Sequence, residues 1–181
     1  MLVPGRLFLT RGSGRHREKL ISWELALHDA GVSSFNLVRV SSIFPPRCKL
    51  VSSEEGLKAL VPGQVVFAVL SKNATSEPGR LIAASIGLAA PRDSNRHGYL
   101  SEHHSFGETA ATAGNHAEDV AAQMLSASLG LPSREDDAGN DRTRRWERCG
   151  EFAETTSIAQ CATGDRGGLW TTVVAAAVLL P

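Results

Sequence analysis

Residues 35–44, Phe-Asn-Leu-Val-Arg-Val-Ser-Ser-Ile-Phe, are mostly β-branched or apolar and run directly into Pro45 and Pro46. Proline has no N–H to give to a sheet ladder and fixes its own φ, so a strand cannot continue through the pair. The pattern predicts a strand that ends at the serine pair Ser41-Ser42.

Other short runs of the same kind surround it. Residues 63–71, 79–91 and 97–105 are rich in β-formers or small side chains and are bounded by Gly, Pro or Asn, which predicts three more strands. Residues 151–163 and 169–180 predict two further strands, joined by the turn formers Gly164, Asp165, Gly167 and Gly168. Only two segments carry a helical period. Between Arg17 and Gly31, Leu20, Trp23, Leu27 and Ala30 fall on one face, with Gly31 placed for a left-handed cap. Between Glu108 and Leu129, Ala113, Ala117, Val120, Ala121, Met124 and Leu125 form an apolar stripe closed by Gly130 and Pro132. Residues 133–150 are dense in Arg, Asp, Glu and Asn and read as a mobile, solvated excursion with a helical turn around Arg144 to Arg148. The order predicts an α+β fold, an αββα-type sandwich of mostly antiparallel sheets with flanking helices, in one domain spanning 1–181.

Composition removes several function classes. Nineteen basic and nineteen acidic side chains cancel, so no overall field draws in a nucleic acid or an anionic membrane. The apolar C-terminal run is about a dozen residues, short of the roughly 20 that a spanning helix needs, and reads as a buried strand. No secretion signal is read at the N-terminus, so a cytoplasmic protein is expected. Cys48, Cys149 and Cys161 lack paired metal or redox spacing and are expected to be reduced thiols. Glu102-His103-His104 resembles a ligand cluster, but adjacent strand residues point to opposite faces; no metal is expected, and His103 is given a surface or rim role. Asn73-Ala74-Thr75 reads as a turn. No phosphate-cradling glycine pattern or internal repeat is present.

The run from Asn36 to Pro46 resembles the self-processing site of the pyruvoyl-dependent arginine decarboxylase family. Three further pieces match in order: Asp29-Ala30-Gly31 before the motif, Ala83-Ala84-Ser85-Ile86-Gly87 leading to Pro91, and Gly98-Tyr99-Leu100-Ser101-Glu102. The resemblance covers residues 17–130 well, and beyond them only the general pattern matches.

The resemblance implies that the Ser42 hydroxyl attacks the Ser41 carbonyl, that the resulting ester eliminates, and that Ser42 becomes a covalent pyruvoyl group. Residues 1–41 would then be a β subunit and residues 42–181 an α subunit. Asn36 matches the residue that assists processing, as donor to the oxyanion. Glu102 matches the proton donor. Counting back without gaps, Leu20 and Glu24 fall at substrate-pocket positions, with Ser41 also lining the pocket; the family commonly has aspartate where Glu24 stands. The implied reaction is L-arginine to agmatine and carbon dioxide, in a homotrimer with sites between protomers. The alternatives are a pyruvoyl decarboxylase of histidine or aspartate, and an unprocessed relative serving as a binding or regulatory subunit.

Overall fold

The C-terminal run Trp-Thr-Thr-Val-Val-Ala-Ala-Ala-Val-Leu-Leu is apolar on both alternating sets of positions, which suits a strand covered on both faces. In the computed structural model, which describes residues 3–131 and 152–181, that strand is the middle of a sheet. The elements run β1 (Arg6–His16), α1 (Lys19–Asp29), β2 (Asn36–Arg39), β3 (Ile43–Phe44), β4 (Lys49–Val51), α2 (Ser53–Lys58), β5 (Val65–Thr75), β6 (Leu81–Pro91), β7 (Gly98–Phe106), α3 (Ala110–Ser128), β8 (Phe152–Thr163) and β9 (Trp170–Leu180). The first sheet has the order β2-β5-β9-β1-β4 and the second β3-β7-β6-β8. Pairing is antiparallel except for β1 with β4 and β2 with β5.

The sheets stack face to face around Leu7, Val69, Ile86, Leu88, Leu100, Ala175, Ala177 and Leu179. Helix α1 covers the outer face of the first sheet over β1 and β9, and α3 covers the outer face of the second over β6. The layers are therefore helix, sheet, sheet, helix, as the pattern predicts. Both helices sit unusually low, because glycines lie beneath them. A Cβ at Gly12 or Gly14 of β1 would collide with the α1 backbone at Ala26 or Ser22, and one at Gly87 of β6 would collide with the Ala117 carbonyl of α3. Adding such a methyl forces the helix outward, at a cost of roughly 1–3 kcal/mol.

Close seating changes which face of α1 is buried. Ser22, Ala26, Leu27 and Ala30 are buried, while Leu20 is 77% exposed, so Leu20 is not part of the core-facing stripe that the spacing predicts. Gly31 takes the expected left-handed conformation at φ 76°. In α3, Ala113, Ala117, Ala121 and Leu125 are buried as expected, and the Thr109 side chain caps the first turn by accepting from Thr112 N–H.

Three elements were not evident in the pattern: β1, β4 and the short α2, whose first turn is capped by Ser52. Residues 73–75 are not a turn but the end of β5, paired with β9, and Asn73 is buried with its amide donating to the Ser105 carbonyl. The Gly164–Gly168 turn does not close a hairpin; it carries the chain from β8 in the second sheet to β9 in the first. The expected excursion at 133–150, with Cys149, lies outside the described residues. No helix among the described residues is long and apolar enough to cross a membrane.

Candidate active site

The expected single strand over 35–44 is two short strands in different sheets. β2 pairs in parallel with β5, with Asn36 opposite Val65 and Arg39 opposite Ala68, and Val40 N–H extends the ladder to the Ala68 carbonyl at 3.1 Å. β3 pairs with β7, with Ile43 opposite Tyr99, and Leu100 N–H donates to the Ser42 carbonyl at 2.8 Å. Ser41 and Ser42 are therefore the link by which the chain steps from the edge of one sheet to the edge of the other.

That link is a three-residue turn. Ile43 N–H donates back to the Ser41 carbonyl at 3.0 Å, closing a turn centred on Ser42. Ser41 is exposed and Ser42 half-buried. Among the described residues the Ser42 hydroxyl has no hydrogen-bond partner, so it is free to act. Cys48, the nearest thiol along the chain, is no competitor, since burial pushes its pKa up to about 11 and keeps it protonated.

Glu102 lies two residues beyond Leu100 on β7, or ~7 Å along the strand, and on the same face. Its carboxylate is 2.6 Å from the guanidinium of Arg39, which also donates to the Leu70 carbonyl of β5 at 2.9 Å. The sheets are held together just beyond this point, where Ser71 donates to the His103 carbonyl and Asn73 to the Ser105 carbonyl.

Leu20 lines a cavity of about 540 Å³ with Trp23, Lys19, Lys72, Asn73, Ala74, Thr172 and His104. His104 is two residues from Glu102 on the same face of β7, so this cavity runs along the same edge of the sandwich. Its described lining is cationic: Lys72 Nζ sits over the Trp23 ring at 4.8 Å, and Lys19 Nζ sits over the Trp170 ring at 4.5 Å. Glu24 lies exposed one turn beyond Leu20 and is not among the lining residues.

Asn36 sits at the far end of β2 from the serines, about 16 Å away at strand rise. Its side-chain amide donates to the Gly63 carbonyl at 2.8 Å. Asn36 is therefore not brought to the Ser41 carbonyl of its own chain, and the donor found there is Ile43 N–H. His103 turns to the opposite face of β7, against Glu108 at 2.9 Å and the His116 ring at 4.3 Å between centroids. No cluster of three or more His, Cys, Asp or Glu able to hold a metal occurs among the described residues.

Arg39 and the two backbone donors, Ile43 N–H and Leu100 N–H, were missed from the sequence. Arg39 offered a signal, a charged residue inside an apolar strand next to the serines. Its partner lies 63 positions away and is identified only by the sheet topology.

A two-sheet sandwich whose edges are bridged by a serine pair, with an arginine-bound carboxylate on the neighbouring strand, is an α+β protein with a serine-serine link at a sheet-to-sheet step. The family model for pyruvoyl-dependent arginine decarboxylase matches residues 6–181. A probable pyruvoyl-dependent arginine decarboxylase of Chloroherpeton thalassium is 52% identical over 179 residues, covering 99% of this chain and 98% of that protein. Pyruvoyl-dependent arginine decarboxylases of Nitrosopumilus maritimus and Methanococcoides burtonii are 52% and 51% identical, each over 99% of this chain and 98% and 99% of their own lengths. This chain belongs to the pyruvoyl-dependent arginine decarboxylase family.

Proposed function

We propose that the chain cuts itself between Ser41 and Ser42 and decarboxylates L-arginine to agmatine, using a pyruvoyl group formed from Ser42. The observation that carries the reading is the turn at Ser42: a free hydroxyl adjoins a carbonyl that already accepts a hydrogen bond from Ile43 N–H. Attack by the Ser42 oxygen on the Ser41 carbonyl carbon moves negative charge onto an oxygen facing that donor, and the amide becomes an ester. Loss of the Ser42 Cα proton then expels Ser41 as a carboxylate. Water replaces the nitrogen of the dehydrated residue, ammonia leaves, and a ketone remains at the new N-terminus. Residues 1–41 and 42–181 are the two products.

Once formed, the pyruvoyl group supplies an electrophilic carbonyl that withdraws electrons from the bond to the departing carboxylate. The protein's own part is placement and proton transfer. Leu100 N–H holds the residue-42 carbonyl, and Glu102 gives the proton that replaces carbon dioxide. Leu20 and Ser41 line the substrate space, and Glu24, exposed and outside the cavity of its own chain, supplies the anion for the guanidinium where a neighbouring protomer closes the site.

Leu20, Ile21 and Leu25 leave an apolar patch on α1, and Val38 and Ile43 leave another beside the serines. Such surface favours burial against another protomer, and a trimer with sites at its boundaries would cover it. In that assembly Asn36 serves a neighbour's serine pair, which accounts for its distance from its own. We place the enzyme in the cytoplasm.

One observation favours a second substrate class: the lysines and His104 around the Leu20 cavity would suit an acidic side chain. Purified protein offered L-arginine, L-histidine and L-aspartate separately should release carbon dioxide and agmatine from arginine alone, and Ser42→Ala should be inactive. Turnover of aspartate with arginine untouched would overturn the substrate. Carbon dioxide from none of the three, with an uncut chain, would favour a binding or regulatory subunit.

A further inference from the structure

The proposed cut leaves two chain ends at the same place, and they are held by different means. The Ser42 end stays on β7 through Leu100 N–H and the β3 pairing. The Ser41 end belongs to β2, a four-residue strand at the edge of the first sheet with β5 as its one neighbour. Short edge strands fray readily, and a fresh terminus two residues past Arg39 gives this one further cause to do so.

We infer that Arg39 is a positioning residue that ties the cut end of the small fragment to the proton donor on the large one; the inference rests on the processing and proton-donor roles proposed above. Its guanidinium makes two bonds from the small fragment to the large one, to Glu102 at 2.6 Å and to the Leu70 carbonyl at 2.9 Å. A planar guanidinium directs its donors along fixed lines, so occupying both acceptors sets the orientation of the Glu102 carboxylate as well as the path of residues 39–41. The Glu102 side chain is 30% exposed and has no other hydrogen-bond partner among the described residues, so without Arg39 its rotamer is free. Arg39 makes no hydrogen bond to Ser42 among the described residues; it acts through Glu102 and through the anchored strand end.

The test compares Arg39→Gln and Arg39→Lys with the wild-type protein by denaturing mass spectrometry, amide hydrogen exchange and steady-state kinetics. Both variants should be cut, because neither Ile43 N–H nor the Ser42 hydroxyl depends on Arg39. In Arg39→Gln, exchange at Val40 N–H should speed up at least about 10-fold, and kcat should fall about 10-fold with KM within about 3-fold, as expected when orientation of a proton donor is lost. Arg39→Lys, which keeps the charge and one of the two contacts, should recover most of kcat and part of the exchange protection. Exchange and kcat both unchanged in Arg39→Gln would overturn the inference. An uncut or inactive wild-type protein would end the functional reading instead, and the exchange at Val40 would still decide whether Arg39 anchors the strand.

Discussion

Two glutamates six positions apart lie near opposite faces of β7 and have different kinds of partner. Glu102 faces the seam between the sheets, beside the serine pair, and its partner Arg39 arrives from another sheet. Glu108 lies between β7 and α3 and is bound by His103 and Ser105 from the strand just before it. The hydrogen bonds from His103 and then Ser105 hold its carboxyl below the usual glutamate value. Local partners make Glu108 a joint between a strand and a helix. The long-range partner ties Glu102 to the strand that leads into the Ser41-Ser42 link. Neither distinction follows from residue type; both follow from which face of β7 each carboxylate reaches.

The contrast can be broken experimentally. Glu102→Gln keeps the size of the side chain but removes the transferable proton, so kcat should fall by at least about 100-fold with both fragments still formed and KM little changed. Unchanged turnover would remove Glu102 from the chemistry and leave the two carboxylates equivalent.

Glu108→Gln should act far more weakly, leaving kcat within about a factor of two and lowering the melting temperature at pH 7 by about 2 °C. Because the folded-state pKa of Glu108 is depressed, its stabilisation is present above the ordinary glutamate value of 4.5 and is lost as pH falls through the lower folded value. The melting difference between wild type and Glu108→Gln should accordingly shrink on acidification below that value. A difference that grew with acid would contradict the assignment.

Much of this organisation was legible in the sequence. Short runs of β-formers and small residues bounded by Gly, Pro or Asn announced β5, β6 and β7, and both helical stripes formed helices. β1 was hidden because Gly12, Gly14 and three arginines depress its strand propensity, although those glycines are what let α1 seat directly on it. The step between sheets at Val40 to Ser42 was hidden for another reason. The apolar character of residues 35–44 continues unbroken across it, so composition shows one strand where topology makes two. The serine motif singled out the candidate linkage, but the donor at the Ser41 carbonyl is a backbone N–H, which every non-proline residue owns and no residue type reveals. The placement of Asn36 likewise could not be read, since distance along an edge strand matters only once the site's location on that edge is known.

The central claim, that the link at Ser42 is built to be broken, is tested most directly by denaturing mass spectrometry of the purified protein. A chain of 19.3 kDa cut after Ser41 should give two fragments of roughly 4.4 and 14.9 kDa, in proportion to their lengths, the larger lacking a free N-terminal amine. A single intact chain of 19.3 kDa would contradict it.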